Sequence, residues 1–95
     1  MRQIFLIGNT IGIPTALDHT WLREYDPDAH GGRGVIRGTK NRAEAMQFAE
    51  AGDAMKLWRA QSRVRPLRPD GRPNRPLTAY TIEVCEDGHD PLLPP

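Results

Sequence analysis

The chain has 95 residues, 38% of them hydrophobic, 6% aromatic and 26% charged, with a formal net charge of +1. That supports one small core and excludes a large enzyme with lids and a second domain. No run of about 18 apolar residues occurs, and only a short apolar stretch follows Arg2, so the expectation is a soluble, cytoplasmic chain with neither a membrane span nor a secretory leader.

Residues 2–8, Arg2-Gln3-Ile4-Phe5-Leu6-Ile7-Gly8, are a branched and aromatic run closed by Gly8-Asn9, which predicts a buried strand. Residues 9–34 are broken by Gly12, Pro14, Pro27 and the cluster Gly31-Gly32-Arg33-Gly34. They leave room for an extended piece at 21–25, with Trp21, Arg23 and Tyr25 on one face; the alternative is a single helical turn from Thr15 to Leu17. Val35-Ile36-Arg37 predicts a further strand within 33–37, left through Gly38.

The segment from Asn41 to Ser62 carries the helical pattern. Asn41 is a cap, and Glu44 three residues on completes a capping box. Met46 and Phe48 follow, then Ala54, Met55, Leu57 and Trp58 recur at the spacing of one helical side. Gly52-Asp53 interrupts them. The pattern predicts a short helix over 42–47, a break around 48–52, and a second helix to about Gln61 with Asp53 in its first turn.

Residues 63–76 hold five arginines, four prolines and one acid, with Arg-Pro pairs at 65–66, 68–69, 72–73 and 75–76. Proline fixes its own torsion and pushes the preceding residue to extended geometry, so this stretch predicts an extended arm folded once at Pro69-Asp70-Gly71. Thr78 to Val84 alternates, with Tyr80, Ile82 and Val84 on one side, and predicts a half-buried strand. Residues 86–95 are acidic and proline-rich and read as a disordered tail beyond a single domain of residues 1–85. The whole predicts an α+β fold: a small antiparallel sheet of three or four strands (2–8, 33–37, 78–84 and 21–25), its first and last strands adjacent, packed on one face by one or two helices from 42–61.

The arm is the feature that stands out, at +4 over fourteen residues in a nearly neutral chain. Planar guanidinium groups pair bidentately with carboxylates, which fits an acidic protein surface. Gly71-Arg72-Pro73 resembles the core of an A-T minor-groove hook, but Asp70 and Asn74 flank it and the acid opposes a phosphate backbone. A rigid connecting loop is the plain alternative. The glycine cluster at 31–34 offers a phosphate cradle with Arg33 and Arg37, yet matches no phosphate-loop pattern and reads as a flexible turn. No catalytic residue is expected: Cys85 sits among acids that raise a thiol's pKa, with His89 four residues on, and Asp18-His19 lacks a third group. His19, His30 and His89 lack metal-ligand spacing with Cys85, so neither a metal site nor a cofactor is expected. Met46, Phe48, Met55, Trp58 and Tyr80 are assigned to the core, whereas Trp21 and Tyr25, in a loop-rich stretch with little to bury them, are assigned as partner contacts.

Gly38-Thr39, Ala43 to Phe48, Ala54 to Arg59 and above all Arg68-Pro69-Asp70-Gly71-Arg72-Pro73-Asn74-Arg75-Pro76-Leu77-Thr78-Ala79 resemble short proteins encoded in phages and prophages of proteobacteria. The resemblance covers about half the chain and brings no catalytic residues. It implies a mobile-element origin and an accessory role in a bacterial host, the setting of anti-CRISPR proteins and other inhibitors that act by binding. The expectation is therefore a non-enzymatic inhibitor contacting a host defence effector such as a CRISPR-Cas complex through Arg63, Arg65, Arg68, Arg72, Arg75, Trp21 and Tyr25. The alternative is a nucleic-acid-binding phage regulator using the same arm. Whole-molecule DNA mimicry does not fit a nearly neutral chain.

Overall fold

Alternation along the first strand sends Ile4 and Leu6 to one side and Phe5 to the other, and all the residues from Gln3 to Leu6 are buried. The first strand is therefore covered on both faces. In the computed structural model, which describes residues 1–91, this strand β1 (Arg2–Asn9) is joined by β2 (Thr20–Asp26), β3 (Val35–Thr39) and β4 (Tyr80–Glu86) in one antiparallel sheet. The order is β3-β2-β1-β4, so the first and last strands are neighbours. A four-residue helical turn α1 (Ala29–Gly32) links β2 to β3, and α2 (Ala51–Trp58) precedes the arm. This is a small α+β fold.

The face carrying Ile4, Leu6, Leu22 and Tyr25 packs against Ala54 of α2 and Leu77, with Met46, Phe48, Leu57, Trp58 and Tyr80 partly buried around them. Four of the five expected core residues thus ring this core, and Met55 lines a groove at its margin. The deepest positions are aliphatic. α2 forms where the three-and-four apolar spacing lies, with Asp53 in its first turn, and ends at Trp58 rather than Gln61. The next residues leave the helix to meet β2: the Ala60 carbonyl accepts a hydrogen bond from the Tyr25 hydroxyl at 3.1 Å.

The opposite face holds Phe5, Trp21, Ala45 and Cys85. Its cover comes from Arg42, at the start of a 3-10 turn (Arg42–Glu44) that stands where the sequence predicts a helix over 42–47. Asn41 caps this turn, its Oδ1 accepting from the Ala43 amide at 3.1 Å. Glu44 does not close the box. It accepts from Thr39 Oγ1 at 3.1 Å and faces Arg23 at 3.7 Å. The chain then extends, because its backbone has better partners in the sheet. Met46 N donates to Leu22 O, and Phe48 exchanges two bonds with Arg2. β1 and β2 pair directly only at Phe5–Trp21 and Leu6–Thr20, and segment 46–48 bonds to both of them beyond that point.

Three boundaries move. Residues 76–79 form a 3-10 turn with Pro76 in its first turn, so β4 starts at Tyr80 instead of Thr78. β3 is displaced to 35–39 because Gly34, at φ +83°, makes the turn before it. The start of the expected tail is tied to the sheet: β4 runs through Glu86, Asp87 pairs with the N-terminal amine at 3.0 Å, and His89 N donates to Glu86 O at 3.1 Å. Residues 92–95 of the expected tail lie outside the described residues.

Candidate functional site

The arm leaves α2 at Arg59 and folds back on itself where the sequence predicts. Arg68 N donates to Arg72 O at 2.8 Å and Gly71 N to Arg68 O at 2.9 Å, while Leu67 bridges Pro73. Asn74 N reaches Pro66 O and Ser62 N reaches Asn74 O, both at 2.8 Å, which closes the hairpin at its base. Four of its arginines precede proline and are held extended by that neighbour's ring.

The hairpin is seated by polar groups other than arginine side chains. Asn74 Nδ2 donates to Gly32 O at 2.6 Å and to Arg65 O at 2.9 Å. Asp28 Oδ1 accepts from the Arg63 amide at 2.6 Å and from Ser62 Oγ at 3.3 Å, and Ser62 Oγ in turn accepts from the Arg65 amide at 3.1 Å. Tyr25 completes the seat, its oxygen accepting from Leu77 N at 3.3 Å while its hydroxyl donates to Ala60. Burial, its largest influence, pushes this phenol above its ordinary pKa, against the lowering effect of the Leu77 amide.

The glycine cluster receives the arm. A Cβ on Gly32 would stand 2.5 Å from Arg65 Cβ, and one on Gly34 would stand 2.9 Å from Pro76 Cβ. Both glycines have positive φ. Their purpose in the fold is close backbone approach, which a reading of the cluster alone as a flexible turn or a phosphate cradle does not reveal. The signal that could have found it is their pairing with a proline-stiffened segment far along the chain, Gly32 with Arg65 and Gly34 with Pro76.

All five arm arginines are exposed. Arg68 meets Asp70 at 3.5 Å within the hairpin; Arg63, Arg65, Arg72 and Arg75 form no ion pair among the described residues. Arginines of the sheet differ, since Arg2, Arg23 and Arg37 are paired with Glu86, Glu44 and Glu24. Arg65 and Arg68 line one cleft with Arg33, and Arg68 and Arg75 line another, of about 380 Å³, with Thr10 and Ile11. Apolar side chains are interspersed: Val64 is 62% and Leu67 55% exposed.

Trp21 and Tyr25 do not belong to this surface, which corrects their assignment as exposed contacts. They are 7% and 8% exposed. A bulge between Leu22 and Glu24 shifts the alternation of β2, so Tyr25 joins the α2 side while Trp21 faces the other. Trp21 packs edge-on to Phe5 at 5.0 Å under the Arg42 guanidinium, 4.3 Å above its ring.

Around Cys85 the structure unites residues that sequence spacing separates. Burial, aided by Glu83, raises the thiol to about 11, and its residue has no solvent exposure, so it is poorly placed to attack a substrate. His89 returns over β4 to meet Glu83 at 3.0 Å. Asp18 instead closes a turn with Thr15, accepting from its amide and hydroxyl, and is not oriented toward His19 chemistry. No helix among the described residues is long and apolar enough to cross a membrane. Comparison with protein-family models, with curated proteins and with solved structures yields no match.

Proposed function

We propose that this chain is a non-catalytic binding protein that uses the arginine hairpin to cover an acidic surface of a host protein. The observation that supports this most is the separation of anchoring from display: backbone, Asn74, Asp28 and Tyr25 fix the hairpin, and four guanidinium groups form no ion pair among the described residues. A rigid display loses little conformational freedom on binding. In a host cell such a surface suits the inhibition of a defence effector, the anti-CRISPR-like role that the resemblance implies.

A nucleic acid is the second candidate, since arginine also pairs with phosphate. Val64 and Leu67 favour protein. They sit among the arginines at more than half exposure, and an interface that combines arginine with apolar contacts buries both. A phosphate backbone offers such side chains nothing.

The test is capture of partners from host lysate, with and without nuclease, by the natural chain and by an Arg68→Ala/Arg72→Ala/Arg75→Ala variant. A nuclease-resistant protein whose affinity falls at least about tenfold in the variant is expected, a loss of roughly 1.4 kcal/mol or more. The variant's Tm should stay within about 2 °C, because the one contact these side chains make among the described residues is the exposed Arg68–Asp70 pair at 3.5 Å, and such surface pairs contribute little. Recovery of nucleic acid alone would transfer the arm to the second candidate, and a partner retained equally by the variant would remove the arm from the function.

A further inference from the structure

We propose that Glu83, Cys85 and His89 form a binding site for a zinc-type divalent cation that fastens the segment after β4 to the sheet. The site lies on the sheet face opposite α2 and is independent of the arginine hairpin. Glu83 and Cys85 are two residues apart on β4 and so share a face. The Asp87-Gly88 turn then reverses the chain, with His89 N on Glu86 O, and brings the His89 imidazole back over that same face. One ligand atom from each of the three residues lies within 4.8 Å of the other two.

Tetrahedral zinc, with bonds of about 2.0–2.3 Å, holds its ligand atoms roughly 3.5 Å apart. Closing the widest gap takes a movement of about 1 Å, within reach of rotation at Glu83 and His89, whose side chains are about half exposed. Cys85 supplies the inner, rigid ligand from a fully buried position. The metal would sit between it and the surface, with its fourth position open to water.

The donor set decides the class of ion. Sulfur, imidazole nitrogen and one carboxylate suit zinc or cobalt, whereas magnesium and calcium select oxygen ligands throughout. Thiolate and carboxylate together balance the two positive charges. Binding releases the thiol proton to solvent, while His89 ligates through an imidazole nitrogen lone pair and Glu83 through a carboxylate oxygen.

The loop that carries His89 is already oriented. Arg42, held over Trp21, donates to the backbone carbonyls of Glu86 and His89 and to Gln3 Oε1. Its guanidinium fixes the backbone on either side of the turn, in the way that outer partners commonly orient metal ligands. The sequence obscures this site because Cys85 and His89 are four residues apart in a strand and a turn, where spacing alone does not reveal a shared face.

The experiment uses the full chain without a histidine tag, reduced, freed of metal with chelator and returned to chelator-free buffer. Titration with Co²⁺ is expected to give a thiolate-to-cobalt charge-transfer band that saturates at one equivalent and is abolished by Zn²⁺. At a hundredfold excess over its dissociation constant, Zn²⁺ should raise the Tm by roughly 10 °C. His89→Asn, a change at an exposed side chain, should keep the metal-free Tm within about 3 °C and lose both responses; Cys85→Ser should lose the charge-transfer band. No saturable one-to-one binding at micromolar Co²⁺ or Zn²⁺, or a Zn²⁺ response that persists in His89→Asn, would overturn the site.

Discussion

On one face of β1, Arg42 lies over Trp21 and donates to Gln3, Glu86 and His89; on the other, five arginines stand on a hairpin whose attachment uses none of their guanidinium groups. The same residue type is a structural clamp in one place and an exposed charge in the other. What separates them is the surrounding chemistry. Arg42 finds backbone carbonyls and an aromatic ring already fixed by two strands, so its side chain is held by several directional contacts. The arm arginines lie on extended, proline-stiffened backbone, and Asn74, Ser62, Tyr25 and the Asp28 carboxyl have already satisfied the seat beneath them through backbone groups. An arginine-rich segment in a small domain therefore need not consist of internal ion pairs, and the seat shows which kind it is.

The sharpest way to break this comparison is at Gly32, under the hairpin. Gly32→Ala places a Cβ 2.5 Å from Arg65 Cβ at a backbone φ of +95°. Steric conflict and strain together should cost about 3 kcal/mol, lowering the Tm by roughly 15 °C. If the hairpin is a docked unit, hydrogen exchange at the Ser62 and Asn74 amides should accelerate beyond the global change. Unaltered protection at those amides would mean that the arm is not seated through Gly32.

Arg42→Ala tests the other face. It removes the cation from Trp21, a donor to Gln3, and the tie to the loop at Glu86 and His89, for an expected loss of about 2 kcal/mol. Trp21 fluorescence should respond, while exchange at Ser62 and Asn74 should follow only the global change. An Arg42→Ala protein as stable as the natural chain would make Arg42 a surface arginine like those of the arm.

Much of this arrangement is legible in the sequence. The apolar run at 2–8, the alternation before Val84, the helical spacing from Ala54 to Trp58 and the Arg-Pro pairs each announce their element, because each depends on local torsion or a local periodic pattern. The misreadings arise where a distant partner decides. Trp21 and Tyr25 read as exposed because their chain neighbours are polar, yet Arg42 covers one and Leu77 with Ala60 covers the other. Glu44 leaves its capping box for Thr39 because β3 brings that hydroxyl near. The Asp87-Gly88 dipeptide does signal a turn, and it carries more information than the acidic composition that suggests a disordered tail.

The smallest of the three effects is at Tyr25, where the fold and the hairpin meet. Tyr25→Phe leaves the Leu77 amide and the Ala60 carbonyl without their partner, for an expected loss of about 1–2 kcal/mol at neutral pH. The loss should then shrink with alkalinity. The folded-state pKa of this phenol is raised above the ordinary value of 10.0, so through that interval the folded chain keeps a proton that the unfolded chain releases. Its contribution is fully present below about pH 10 and declines as pH rises toward the folded value. Ionisation removes the donor to Ala60 and places a charge in a buried seat. Denaturant midpoints of the natural chain and Tyr25→Phe, measured from pH 8 to 11, should therefore converge from the natural chain's side. Parallel curves across that range would show that the Tyr25 hydroxyl is not the bolt between helix, hairpin and sheet.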